Sequence, residues 1–175
     1  MSVCTESSLG RAAELTGRRV LVVEDEPLVS MLIEDELRDA GATVLGPARS
    51  VADALRLVES AAANGGISVA VLDINLGGRH VAPVAERLAA LRVPFLFATG
   101  YGGGCDTGGH GAAPTLHKPF AVERLVAAVA ALASAAARCR RPASVARRRK
   151  RSGDRAGAVH PLASCGAVGA AWPPA

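Results

Sequence analysis

The chain has 175 residues, half of them apolar but only 3% aromatic, which suits one domain with a core of Val, Leu, Ile and Ala plus a short appendage, and excludes two ordinary domains. Its charge is uneven: residues 1–137 carry 11 Lys/Arg against 15 Asp/Glu, and residues 138–175 carry 9 against one, so a mildly acidic domain is followed by a basic tail. Four scattered cysteines with no CxxC pair argue against a zinc or disulfide scaffold, no stretch has the apolar length of an export signal or membrane span, and the expected location is the cytoplasm.

Residues 1–17 show no periodicity and are expected to be a disordered lead-in. Val20-Leu21-Val22-Val23 is a continuous apolar run, the pattern of a strand buried on both faces. Val29, Leu32, Ile33 and Leu37 then recur at helical spacing, and Gly41 is placed to end that helix. Thr43-Val44-Leu45 reads as a second strand. Ser50 and Asp53 form a capping-box-like start for a second helix, with Val51, Ala54, Leu55 and Val58 on one face. Val69-Ala70-Val71-Leu72 is a third strand, and Val81, Val84, Ala85 and Leu88 mark a third helix with Pro83 in its first turn, where proline is tolerated. Phe95-Leu96-Phe97-Ala98 is a fourth strand and Thr115-Leu116-His117 a short fifth. Val122, Leu125, Val126, Val129 and Leu132 mark a last helix. Strand and helix alternate, which predicts a parallel sheet with helices on both faces. One helix is missing from the rhythm: residues 99–113 contain seven glycines, each costing a helix about 1 kcal/mol against alanine, so a flexible loop is expected there. After residue 137 large apolar side chains become sparse, and residues 138–175 are expected to stay disordered.

In open parallel sheets, ligands bind at the carboxyl ends of the strands. Strand one ends in Glu24-Asp25-Glu26, strand three in Asp73, strand four in Thr99 and strand five in His117-Lys118-Pro119. Each taken singly has a plainer reading: an acidic pair suits a helix N-terminus, a lone Asp a turn, a Lys-Pro pair a turn. Taken together they make a site. With strands one and three adjacent, Glu24, Asp25 and Asp73 converge, and their repulsion is relieved by a hard divalent cation such as Mg²⁺, which takes carboxylate and phosphate oxygens. Lys118 adds positive charge and Thr99 a hydroxyl. A carboxylate in that company can accept a phosphoryl group as nucleophile, with metal and lysine neutralising the transferring oxygens.

The segments VLVVEDEP, VLDINLGG, PFLFATGY and LHKPF closely resemble the four signature segments of receiver domains of two-component response regulators, over about residues 18–137. The resemblance implies a (βα)₅ flavodoxin-like fold, α/β, with a five-stranded parallel sheet of order 2-1-3-4-5 and, here, a degenerate fourth helix. It implies that Asp73 is the phospho-acceptor, that Asp25 is the main acidic Mg²⁺ ligand with Glu24 acting mostly through water, that the backbone carbonyl of Asn75 binds the metal, and that Thr99 and Lys118 contact the phosphoryl oxygens. Lys118-Pro119 resembles the family's cis peptide. Thr115 stands where many receivers carry an aromatic switch. The Phe97-Ala98-Thr99-Gly100-Tyr101 run resembles a subclass, often single-domain, in which Tyr101 is placed to cover the acceptor or report its state.

The expected protein is thus a single-domain response regulator, a signalling phosphoprotein rather than a conventional enzyme. Its donor would be a sensor histidine kinase or phosphotransfer protein, and its output contact with a downstream protein. Two other readings remain open. The arginine-rich run at residues 147–151 could let the receiver gate nucleic-acid binding, although no aromatics interleave with it and 38 residues cannot hold a winged helix. Asp73 could instead serve a haloacid-dehalogenase-like phosphatase, but that pattern wants a second Asp where this chain has Asn75.

Overall fold

The apolar runs seen in the sequence become the strands of one sheet. A computed structural model describes residues 14–100 and 106–140. Its elements, in chain order, are β1 (Arg19–Val23), α1 (Pro27–Asp39), β2 (Thr43–Ala48), α2 (Val51–Ala63), β3 (Val69–Leu72), β4 (Asn75–Leu76), β5 (Arg79–His80), α3 (Ala82–Ala90), β6 (Phe95–Thr99), β7 (Thr115–His117) and α4 (Val122–Arg140). Five of the strands form a parallel sheet of order β2-β1-β3-β6-β7. That is the expected flavodoxin-like order, with β6 and β7 as the fourth and fifth sheet strands.

Alternate side chains of each strand enter opposite cores, as the two-residue period requires. Leu21, Val23, Ala70, Leu72, Phe95 and Phe97 pack with Ala54, Val58, Val84 and Leu88 of α2 and α3. Val20, Val22, Val69, Val71, Leu96 and Ala98 pack with Ile33, Leu37, Leu125 and Val129 of α1 and α4. Phe95 and Phe97 meet edge to face with ring centroids 5.5 Å apart, an arrangement aromatic pairs favour.

Several boundaries differ from those expected, each for a physical reason. The packed core reaches back past residue 18: Leu15 is fully buried in the α1–α4 core and its N–H bonds the carbonyl of Ala40 at 2.9 Å. At its other end the last helix continues past Ala137 to Arg140, inside the first compact unit of the chain. Leu32 does not face the core: the buried side of α1 carries Ile33, Leu37, Ser30 and Glu34, while Leu32, Leu28 and Met31 are exposed. Strand β2 runs on to Ala48, and its pairing with β1 shifts between Leu21 and Val23. The shift is accommodated at Gly46, whose φ is +112° and where a Cβ would lie 2.7 Å from the carbonyl oxygen of Val22.

The stretch after Asp73 forms an antiparallel hairpin in which β4 pairs with β5. Gly77 and Gly78, both at positive φ, make its turn, a conformation costly for residues with a Cβ. Among the described residues no helix lies between β6 and β7; residues 106–114 are turns, a bend and irregular backbone. Tyr101 and Cys105, and the basic run at 147–151, lie outside the described residues.

Candidate functional site

Strand register carries the charged residues to one rim of the sheet. Val23 of β1 is level with Leu72 of β3, so the next residues, Glu24 and Asp73, come out side by side. The Asp73 N–H bonds the Val23 carbonyl at 2.8 Å and the Glu24 N–H bonds the Ala48 carbonyl at 2.9 Å. Thr99 is level with His117, and the Lys118 N–H bonds the Thr99 carbonyl at 2.8 Å. Backbone pairing thus fixes each of these residues before any side chain is considered.

The side chains converge. The Lys118 ammonium donates to Glu24 Oε2 and to Asp73 Oδ2, both at 2.7 Å, and lies 3.9 Å from Glu26 Oε1. Glu24 and Asp73 are buried, and Thr99 is fully buried. Burial pushes the Glu24 carboxyl up to about 7, the Asp73 charge adding to the rise, even though hydrogen bonding and charge from Lys118 and the Glu26 N–H oppose it. For Lys118 burial acts downward, but its hydrogen bonds to Asp73 and Glu24, together with the charges of both, hold the ammonium above its ordinary value. Lysine is therefore the resident counter-ion of a carboxylate pair that would otherwise be strained by desolvation.

Asp25 completes the set. One carboxylate oxygen from each of Glu24, Asp25 and Asp73 lies within 4.8 Å of the others. Three convergent hard oxygen donors at a partly open rim fit a small divalent cation such as Mg²⁺, which keeps several waters and takes few protein ligands. Asn75 joins this rim, its N–H donating to Asp73 Oδ1 at 3.2 Å. The Lys118-Pro119 peptide is cis, as the resemblance implied, and Gly46-Pro47 is cis as well.

Two further residues contribute, Gly77, which the strand ends do not include, and Glu26, which they include without a role. Gly77 donates its N–H to Asp25 Oδ2 at 2.9 Å, across 52 residues of chain. Glu26 stands within ionic reach of Lys118. The Gly-Gly pair of the hairpin was the available signal for the first; for the second there was only the adjacency to Glu24 and Asp25.

A parallel α/β sheet of this strand order, with three carboxylates, a lysine and a buried threonine at its strand ends, is the arrangement of a receiver-type flavodoxin-like fold. The family model of the response regulator receiver domain matches residues 20–130, and the chain belongs to that family. It is 39% identical over 130 residues to the transcriptional regulatory protein TcrA of Mycobacterium tuberculosis H37Rv, covering 70% of this chain and 49% of TcrA. The chain therefore spans about half the length of the curated relative it matches. Among solved structures it resembles SdrG from Sphingomonas melonis Fr1 at 44% identity and a TM-score of 0.57, covering 69% of this chain and 98% of SdrG. It also resembles the BeF3-activated conformation of SdrG from Pseudomonas melonis Fr1 at 42% identity and a TM-score of 0.53, covering 64% and 95% of the two chains.

Proposed function

We propose that this response regulator accepts a phosphoryl group from a phosphohistidine of a sensor histidine kinase or phosphotransfer protein onto Asp73, and signals by contact with a downstream protein. The observation that carries this reading is the placement of Asp73 at the end of a buried strand, with the Lys118 ammonium 2.7 Å from its Oδ2 and two further acids beside it.

The step is an exchange of one bond for another. A carboxylate oxygen of Asp73 forms the O–P bond as the donor's N–P bond breaks, and the released imidazole takes up a proton. Asp73 is held by its strand and by the Asn75 N–H, so little freedom remains to be lost on the way to in-line attack. Glu24 and Asp25, with Asp73 and the Asn75 carbonyl, are the groups that would hold Mg²⁺, whose chemistry is to neutralise charge on the phosphoryl oxygens. Lys118 moves its hydrogen bonds from the carboxylates toward the new phosphoryl group, and Thr99, which ends β6 level with His117, is the hydroxyl residue for a second phosphoryl oxygen. An amide cannot supply the nucleophilic oxygen. Asp73→Asn should therefore eliminate labelling by acetyl phosphate or a cognate kinase, and borohydride trapping with mass spectrometry should locate the wild-type adduct on Asp73. Undiminished labelling of the Asn variant, or an adduct elsewhere, would refute the assignment.

A further inference from the structure

The β4–β5 hairpin touches the acceptor site with one strand and the segment after β6 with the other. On the site side, the N–H groups of Asn75 and Gly77 hold Asp73 and Asp25. His80 sits opposite Asn75 in the ladder. Although His80 is exposed, both its ring nitrogens are engaged. Nδ1 accepts the Ala82 N–H at 3.0 Å, one of the N–H groups that open α3, whose cap residue Val81 provides no side-chain bond. Nε2 lies 2.7 Å from the Asp106 carbonyl oxygen. A backbone N–H only donates and a carbonyl only accepts, so the single tautomer with its proton on Nε2 serves both.

The partner segment is seated closely on this pair. Asp106 Oδ1 accepts the Gly108 N–H at 2.8 Å. Gly108 has φ +61°, and a Cβ there would lie 2.7 Å from Ala82 Cβ and 3.5 Å from His80 Cε1. Only glycine permits that approach.

We propose that His80 is a positioning residue of the acceptor site, a clasp that makes the setting of Asp25 and Asp73 by the hairpin depend on the seating of residues 106–109. The inference rests on the proposed function and adds to it a route out of the site separate from Thr99 and Lys118. Such coupling is reciprocal: whatever at the carboxylates favours the clasped hairpin also favours the seated segment, and the seated segment raises affinity at the carboxylates by the same factor.

The test uses the full chain labelled with ¹⁵N, following the amides of Gly77, Gly108 and Gly109 as Mg²⁺ and then beryllium fluoride are added. In the wild type all three should shift. In His80→Ala the Gly77 shift should persist while Gly108 and Gly109 no longer respond, and half-saturation should need about fivefold more Mg²⁺, at the lower end of ordinary coupling. His80→Gln, whose amide offers both an N–H and a carbonyl, should restore part of both effects, which a merely structural role would not predict. Gly108→Val approaches the same clasp from the other side and should weaken Mg²⁺ to a similar extent. Equal responses of Gly108 and Gly109 in wild type and His80→Ala overturn the proposal, as does unchanged Mg²⁺ affinity in Gly108→Val. A wild type in which none of the three amides responds overturns the proposed function itself, and the clasp with it.

Discussion

Glu24 is the residue in which the cost of building this site is most visible. Burial pushes its folded carboxyl up to about 7, against an ordinary 4.5. Below about 4.5 it is protonated in both folded and unfolded chains. Between the two values the unfolded chain ionises while the folded one keeps its proton, so the folded state binds more protons and stability falls as pH rises through that window. The metal-free protein in chelator should therefore melt at lower temperature at pH 7.5 than at pH 5, and Glu24→Gln should flatten the slope; thermal melts across that range check it. Lys118→Ala removes the cation bonded to Glu24 and Asp73 and should leave labelling of Asp73 possible while weakening the conformational response, measured by the amide shifts that follow beryllium fluoride. At this scale Glu24, Asp25, Asp73, Thr99 and Lys118 were legible as strand-end residues, because the strand pattern alone says which residues end together. Gly77 and His80 were not. Each acts through a partner distant in the chain, Asp25 for Gly77 and the Asp106 carbonyl for His80, and neither the Gly-Gly pair nor a lone His names that partner.

The elements were legible wherever an apolar pattern had a cap to bound it. Helix α2 is the clearest example: Ser50 Oγ accepts the Asp53 N–H at 3.1 Å, the bond its spacing predicted. Ser50→Ala should cost about 1 kcal/mol, seen as a lowered midpoint in urea with an unchanged slope. Leu32 shows where pattern fails. It stands three residues after Val29, on helical spacing, but the buried arc of α1 runs through Ile33 and Leu37 toward Ser30 and Glu34 and leaves it out, and composition does not say on which side such an arc closes. The β4–β5 hairpin escaped because two-residue strands are too short to show alternation. Leu15 escaped because a lone apolar residue in a polar lead-in has no period at all, though it is fully buried.

For the whole domain, metal should act as folding energy. A ligand held only by the folded state stabilises it by about 2.7 kcal/mol at a hundred times its Kd, so Mg²⁺ should raise the melting temperature. Asp25→Ala removes one of the three carboxylates of the cluster and should abolish most of that rise; an equal rise in the variant would put the cation elsewhere. Among the described residues no helix is long and apolar enough to cross a membrane.

The sheet's two outer strands bear on how the protein behaves when crowded. An outer strand is a template on which another chain can add by hydrogen bonding, and proteins that must stay separate blunt it. Both margins are blunted here. β2 has its ladder broken between Leu21 and Val23 of its neighbour and carries Pro47, which has no N–H to donate. β7 has three residues, with Pro114 before it and Pro119 two residues beyond it. The bulge in β2 and the shortness of β7 thus limit the length of regular strand that either margin offers.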